Sequence, residues 1–352
     1  MPCSIDPGRT VHIVSDMHMG DGSATDPFCG NDGPFLHFLE QVRRESDALV
    51  IAGDGFDLAQ AWSLDRICRA HREVVDALRA LARVMPVYYL HGNHDEAPDA
   101  LGPLQLRLCQ HLTIGDRIWV EHGNAFDPRN LPGDRLAFWG SRAHALLERV
   151  IHSPVRIPMR KHYYWSTRLG HWIFFRYGLY RRHKATALRW LGREMAAQRC
   201  LDFLDYWGRG EWGDIHGLLA PAETFLDRSP HDMLIWGHSH QAGRVAMSGG
   251  IYLNSGSWTY RDATYIRYRD GDAQVLNWRT GQPIEDEEYR GIMGPPARSG
   301  PLRQHTFFDW WESFYRGRFC YDVEAMHRAV RGADPVTARP AVPRPRPVAP
   351  SD

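Results

Sequence analysis

Five short apolar runs punctuate this chain: Val11–Val14, Ala48–Ala52, Val87–Leu90, Ile118–Val120 and Met233–Trp236. Runs of this length, bounded by Gly, Pro and polar residues, predict buried strands. Between them, Pro34–Arg44 sets Phe35, Leu36, Phe38, Leu39 and Val42 on one side of a helix. Ala61–Val84 does the same with Ile67, Val74, Val75, Leu78 and Leu81. Pro86 separates that second helix from the third run. Such alternation predicts a β-α-β sheet layer. Further on, Ala242–Met247, Ile251–Leu253, Thr264–Tyr268 and Ala273–Trp278 are strand-like stretches joined by Gly and Asp turns, which predict an antiparallel meander. The expected fold class is therefore α/β, with two β layers flanked by helices.

Each of the five apolar runs ends in a polar motif. In order these are Asp16-Met17-His18, Gly53-Asp54-Gly55-Phe56-Asp57, Gly92-Asn93-His94-Asp95, Glu121-His122-Gly123 and Gly237-His238-Ser239-His240. In open α/β sheets ligands gather at the carboxyl ends of strands, so five such loops can converge on one place. Asp, His and Asn suit divalent ions of intermediate hardness, such as Mn, Fe or Zn, and no thiolate is offered.

The chemistry this donor set fits is phosphoester hydrolysis, which needs a deprotonated water and a way to spread charge over phosphoryl oxygens. Two divalent ions about 3.5–4 Å apart supply both. Asp54 is the natural anionic bridge between them. Asp16 and His18, alternating along an extended chain, can face one ion, and His238 and His240 can serve one ion each. Asn93 offers a neutral oxygen and His122 completes the second set. His94 need not be a ligand: it can protonate the leaving oxygen or steady the phosphate. Asp95 is close enough in sequence to orient it, and Asp57 suits a place behind a ligand histidine. His91 and His111 fall outside the pattern and read as ordinary histidines.

From Asp127 to Ser229 the chain reads as helices without strands. Arg156 to Arg199 contains many Arg and Lys residues interleaved with Trp, Tyr and Phe, with Glu194 its only acid. Such a block suits an anionic membrane surface, a lipid-linked nucleotide or single-stranded nucleic acid, or it forms its own core with cations facing water. Arg156, Arg160 and Lys161 are its candidate substrate-binding residues. The expected organisation is a core from 1–127 and 229–285 and a helical insertion from 128–228. A C-terminal helical extension then spans 286–333, with an aromatic patch at Thr306–Phe319, and a disordered Pro-rich tail follows from 334–352.

Lys+Arg and Asp+Glu both number 42, so overall charge excludes no partner. The six Cys lie far apart with no C-x-x-C, which predicts reduced thiols and no disulfide framework. No signal segment precedes Val11 and no run of 18 apolar residues is present, so the expectation is a cytoplasmic protein, either free or resting on the inner face of the membrane.

The ordered set D-x-H, G-D-x-x-D, G-N-H-D, H-G and G-H-x-H resembles the calcineurin-like metallophosphoesterase superfamily. That resemblance implies a four-layered α/β/β/α sandwich with a dinuclear Mn, Fe or Zn centre, Mn being the first expectation. It implies that Asp16, His18, Asp54 and His240 hold one ion, that Asp54, Asn93, His122 and His238 hold the other, and that His94 is the catalytic histidine. Within the superfamily the chain is most similar to the UDP-2,3-diacylglucosamine hydrolases, which carry an early H-G pair and a helical lid before G-H-x-H. It departs from them at His94, where that group usually has Arg, and at Asn124, where Asp is usual. The longer insertion and the extension past Asn277 are further departures. The leading expectation is hydrolysis of a lipid-linked nucleotide pyrophosphate. The alternatives are a soluble phosphodiesterase or phosphatase for nucleotides, nucleic acid or phosphoprotein, and a non-catalytic scaffold. All seven ligand positions are kept, which disfavours the scaffold. Oligomeric state is not legible.

Overall fold

Two six-stranded sheets face each other across a layer built only of side chains. The computed structural model describes residues 3–95, 101, 104–127, 135–151, 165–209, 218–240, 242–259 and 263–284. The first sheet contains β2 (Val11–Val14), β3 (Ala48–Ala52), β4 (Val87–Leu90) and β5 (Arg107–Cys109), all parallel. It is completed by the hairpin β11 (Thr264–Arg269) and β12 (Asp272–Asn277), in the order β12-β11-β2-β3-β4-β5. The second has the order β1-β6-β7-β8-β10-β9. Its strands are β1 (Cys3–Ile5), β6 (Leu112–Ile114), β7 (Ile118–Val120), β8 (Met233–Trp236), β9 (Gly243–Met247) and β10 (Gly250–Asn254).

The two-residue period of a strand explains why the apolar runs are continuous. Val11, Ile13, Val50 and Leu90 point into the layer between the sheets, where they meet Leu112, Val120, Ile235 and Leu253. Val14, Leu49 and Ile51 point the other way. There they pack under α1 (Asp32–Glu45) and α4 (Arg72–Val84), which contribute Phe35, Phe38, Leu39, Val42, Val74, Leu78 and Leu81. On the far side, α8 (Leu219–Arg228) lays Ala222 and Leu226 against Leu234, Trp236 and Tyr252 of the second sheet. The result is the expected α/β/β/α sandwich. Each buried aliphatic or aromatic side chain contributes roughly 1.5–3 kcal/mol.

Three expectations change. The helix read over Ala61–Val84 is broken into α2 (Leu58–Ala61), α3 (Leu64–Ala70) and α4. The breaks fall at Trp62, which is left-handed at φ 66°, and at His71 with φ −113° and ψ 40°. His71 is drawn out of helical geometry by two carboxylates: Nδ1 lies 2.7 Å from Asp32 and Nε2 lies 2.8 Å from Asp26. The predicted meander is instead two hairpins in different sheets, with β10 parallel to β8 and β11 antiparallel to β2. Ser255–Thr259 carries the chain away from the second sheet, anchored by fully buried Trp258, whose N–H donates to Asp16 O. Alternation along a strand reports its faces and not its neighbour.

The third change concerns the thiols. Cys3 and Cys109 are joined in a disulfide, with Cα atoms 6.2 Å apart across 106 residues of sequence. They lie on β1 and β5, the end strands of opposite sheets, so the bond ties the two sheets at one edge. Spacing along the chain carried no sign of this adjacency. Cys29, Cys68 and Cys200 are free.

Helices α5 (Arg135–Ile151), α6 (Trp165–Trp190) and α7 (Glu194–Arg209), followed by α8, lie between β7 and β8 in sequence. Arg149 fixes α5 to the core: it reaches Asp21, donates 2.8 Å to Gln60 O and sits 4.5 Å from the Trp62 ring centre. Arg156, Arg160 and Lys161 lie outside the described residues, as do the expected C-terminal extension and tail. Among the described residues no helix is long and apolar enough to cross a membrane.

The His71 bracket makes a prediction. Burial alone would lower its pKa, but the hydrogen bonds and charges of Asp26 and Asp32 overcome this and raise it from 6.5 to about 9. A raised imidazole pKa stabilises the fold fully below pH 6.5, and that contribution is lost as pH rises through 9. The wild type should therefore exceed His71→Asn by up to about 3 kcal/mol at pH 6, with the difference closing by pH 10. Denaturant titrations of both chains across that range check it. A gap independent of pH would mean that the imidazolium charge is not its source.

Candidate metal centre

The five polar loops converge at one end of the sandwich, and their backbone is unusual there. Asp16, His18, Asp54, His238 and His240 all adopt positive φ, between 47° and 64°. Asp and His tolerate the left-handed region better than most side chains, yet each such residue still costs roughly 1–2 kcal/mol. Asp16 and His18 thus reach one side through two left-handed residues and not by the extended alternation that D-x-H suggested. The bends are held by backbone bonds between neighbouring loops: Asp16 N–H to Gly53 O, His18 N–H to Asp54 O and Met19 N–H to Gly55 O. Gly92 is required because a Cβ there would collide with the Asp54 carboxylate. Gly53 combines φ 88° with direct contact against the His122 ring.

Asp16, His18 and His240 form the first group. The Nε2 atoms of His18 and His240 face each other at 3.1 Å, and His240 Nε2 lies 3.1 Å from Asp16 Oδ1. Asp16 Oδ2 accepts from Ser15 Oγ and, at 2.9 Å, from the His238 N–H. Asp54, His122 and His238 form the second group. His122 Nδ1 lies 2.9 Å from Ala52 O, to which it can only donate. Its Nε2 lies 3.2 Å from Asp54 Oδ2 and 3.3 Å from Asn93 Oδ1. Asp54 Oδ2 is shared, being also 3.6 Å from His18 Nε2.

Carboxylates dominate the electrostatics. Asp16, Asp54, Asp57 and Asp95 are all at most 2% exposed. Burial pushes the Asp16 and Asp54 pKa values up, but the surrounding imidazoles outweigh it and hold both well below the ordinary range. Burial likewise lowers the His18 and His122 pKa values. The carboxylates reverse this, Asp16 and Asp57 foremost at His18 and Asp54 foremost at His122, and bring them to about 10 and about 9. The site therefore demands positive charge.

The donor chemistry fits divalent ions. Asp16 Oδ1 is buried without a hydrogen-bond partner. With Nδ1 donating to Ala52 O, the neutral His122 ring turns an Nε2 lone pair toward Asn93 Oδ1 and Asp54 Oδ2, three acceptors that a proton on Nε2 or a divalent ion would satisfy. The residues present fit one ion among Asp16, His18, His240 and Asp54, and a second among Asp54, Asn93, His122 and His238.

Around these groups, His94 stacks edge-on to His18 at 4.6 Å, with its side chain 21% exposed. The carboxylate beside it is Asp57, not Asp95. Asp57 Oδ1 is 3.1 Å from His94 Nδ1, and Asp57 Oδ2 is 3.2 Å from His18 Nδ1. Asp95 turns away from the imidazole. It accepts the N–H groups of Asp54 at 2.8 Å and Gly92 at 2.9 Å, together with the Tyr89 hydroxyl at 2.5 Å. Burial and the Asp54 charge raise its pKa to about 6. Asp95 thus joins two loops and does not touch His94. Reading the motifs missed Ser15, Tyr89 and Asp127, which lies 2.9 Å from His238 Nε2. None stands in a recognisable spacing. His111 stacks on Trp119 at 4.1 Å, away from the ligand groups.

Removing Asp95 should act on stability. Asp95→Ala unpairs the buried Asp54 N–H and Tyr89 hydroxyl, each costing about 1–3 kcal/mol, and the part-buried Gly92 N–H, so a total loss of at least about 2 kcal/mol is expected. Tyr89→Phe removes one donor together with its need for a partner but unpairs the buried Gly55 N–H that the hydroxyl accepts at 2.9 Å, so it should cost less than Asp95→Ala, about 1–3 kcal/mol. Thermal denaturation of the two variants checks the order, and equal losses would contradict it.

The sequence profile of the calcineurin-like phosphoesterase family matches residues 9–242. A UDP-2,3-diacylglucosamine hydrolase from Coxiella burnetii is 31% identical over 88 residues, covering 25% of this chain and 33% of its own length. The same-named protein of Bordetella parapertussis is 33% identical over 124 residues, covering 32% and 45%. The chain thus spans less than half the length of these curated relatives. Among solved structures, Yfce, a phosphoesterase from E. coli, aligns over 78% of this chain and 96% of its own at 14% identity, with a TM-score of 0.37. The family match extends from the approach to the first ligand loop to just past the last, and on it the chain belongs to the calcineurin-like phosphoesterase family.

Proposed function

We propose that this chain is a metal-dependent phosphoester hydrolase whose substrate is a lipid-linked or amphiphilic nucleotide pyrophosphate of the UDP-2,3-diacylglucosamine type. The observation that carries the catalytic part is the Asp54 carboxylate, whose Oδ2 lies between His18 at 3.6 Å and His122 at 3.2 Å. That is the place an anion must take between two cations. Two divalent ions, Mn first among the candidates, would supply Lewis acidity toward the phosphoryl oxygens and a readily deprotonated water. Asp57 accepts the Nδ1 proton of His94, so Nε2 is the nitrogen that can protonate the leaving oxygen.

The amphiphilic part is supported by the name of the matched relatives and by the tip of the α6–α7 hairpin. These helices share a small core of Ala185, Ala197 and Cys200. At the turn between them Trp190, Leu191 and Met195 are 88%, 73% and 80% exposed. Residues 176–199 carry Arg176, Arg181, Arg182, Lys184, Arg189, Arg193 and Arg199 against Glu194 alone. Aliphatic and indole side chains among cations match the headgroup region of an anionic bilayer, which makes peripheral membrane contact the proposed mode of access. A second reading, a soluble phosphodiesterase or phosphatase, is favoured by the Asp57–His94 pair, since the diacylglucosamine hydrolase group usually has Arg at that place.

Asp54→Ala should abolish hydrolysis and lower the Mn content of dialysed protein more than any other single ligand change. His94→Ala should keep the metal but lose about 10²–10⁴ in turnover, and less with a nitrophenolate leaving group. Metal analysis with a phosphoester panel that includes a lipid-bearing UDP-sugar tests both. An Asp54→Ala chain with full metal and turnover would sink the assignment, and turnover of small soluble diesters alone would select the second reading.

Replacing Trp190, Leu191 and Met195 with Ser should weaken sedimentation with phosphatidylglycerol vesicles on the order of tenfold or more. Hydrolysis of a small diester should be unchanged. The wild-type interaction should weaken with salt, through screening of the cations. Unaltered vesicle binding would leave the tip without a lipid role.

A further inference from the structure

The His238 ring has two nitrogens, and the fold assigns one of them to Asp127. The Asp127 carboxylate, 5% exposed, lies 2.9 Å from Nε2. An ionised carboxylate only accepts, so Nε2 carries the proton and donates. Nδ1 is then the nitrogen with a lone pair, the one free to serve the group that His238 forms with Asp54 and His122. We infer that Asp127 is the positioning residue of the second ion site: it fixes the tautomer and ring orientation of His238 and so sets the affinity of that site alone. The inference rests on the metal-centre reading above.

The placement of Asp127 follows from the turn that precedes it. Gly123, left-handed at φ 101°, turns the chain after His122 into a single 3-10 turn over Asn124–Phe126, and the Asp127 N–H closes it on Asn124 O at 3.1 Å. Phe126 stacks on Trp236 with ring centres 4.6 Å apart, and Trp236 is the last residue of β8, two before His238. The loop after β7 thereby supplies a ligand, His122, and holds another, His238, whose rings lie 5.2 Å apart. The Asp127 carboxylate meets the His238 ring, whereas Asp16 meets the His238 backbone N–H, so the effect on the ring is expected at the ion that His238 would hold.

The test is titration of the metal-stripped full-length chain with Mn²⁺ by calorimetry, for wild type, Asp127→Ala and Asp127→Asn. Wild type should bind two ions. Asp127→Ala should weaken one of them by about 10–100-fold and leave the other, and the melting temperature of the metal-free chain, unchanged. Asp127→Asn retains an acceptor oxygen without the charge and should fall between, which also keeps the test usable if the Ala variant folds poorly. Two ions bound with wild-type affinity in both variants would overturn the inference. So would an equal loss at both ions accompanied by a lower melting temperature, which is the mark of a merely structural role. Wild type that bound no Mn²⁺ would instead remove the metal-centre reading on which this one stands.

Discussion

The structure depends on concentrating negative charge where water cannot reach it. Asp16, Asp54, Asp57 and Asp95 are buried within one cluster, and each ionised carboxylate there is costly unless it is paired. The fold meets that cost with different partners at each. Asp95 is given backbone N–H groups and a phenol, and Asp57 is given two imidazoles. Asp16 and Asp54 keep oxygens facing ring nitrogens: Asp16 Oδ1 lies 3.1 Å from His240 Nε2 and Asp54 Oδ2 lies 3.2 Å from His122 Nε2. The first two carboxylates are satisfied by protein. The last two also accept donors at one oxygen each: Ser15 and the His238 N–H at Asp16, and the His94 N–H at Asp54. They turn the other oxygen toward the imidazoles, and left-handed backbone at Asp16, His18, Asp54, His238 and His240 is the strain accepted to hold that arrangement.

How much of this was legible follows from what a sequence pattern encodes. The apolar runs located β2, β3, β4, β7 and β8 because those strands are covered on both faces, and the motifs at their ends are the loops that the fold brings together. The strands β1, β5 and β6 are as short as β7 but are interrupted by Ser4, Arg107 and Thr113, so they show no continuous apolar run. Asp57 was legible as a partner of a ligand histidine because it follows Asp54 in one motif. Its second bond, to His94, was not, because that pairing crosses from the loop after β3 to the loop after β4. Asp95 was assigned to His94 on adjacency alone, whereas in the fold its nearer donors come from Asp54 and Tyr89.

The Cys3–Cys109 bond and the His71 bracket were hidden for a related reason. Both join segments distant in sequence, Cys3 to Cys109 and His71 to Asp26 and Asp32. They also share a position in the design. Each fastens an edge of the region that bears the loops: the disulfide ties the sheet edges, and His71 ties the segment after His18 to the junction of α3 and α4. A site built from strained loops gains most from cross-links that stop those loops from relaxing.

The helical insertion leaves the core after β7 and returns through α8 into β8, and these two strands are parallel neighbours. Its two stems are therefore the strands whose loops carry His122 and His238, the imidazoles of the second group. Asp16 and His18, by contrast, follow β2 in the other sheet. The hydrogen bond from His238 to Asp127 stands beside those stems. Arg149 of α5 meets the segments that follow the other sheet's strands, at Asp21 and Gln60, so the inserted helices touch the core on both sides of the cluster.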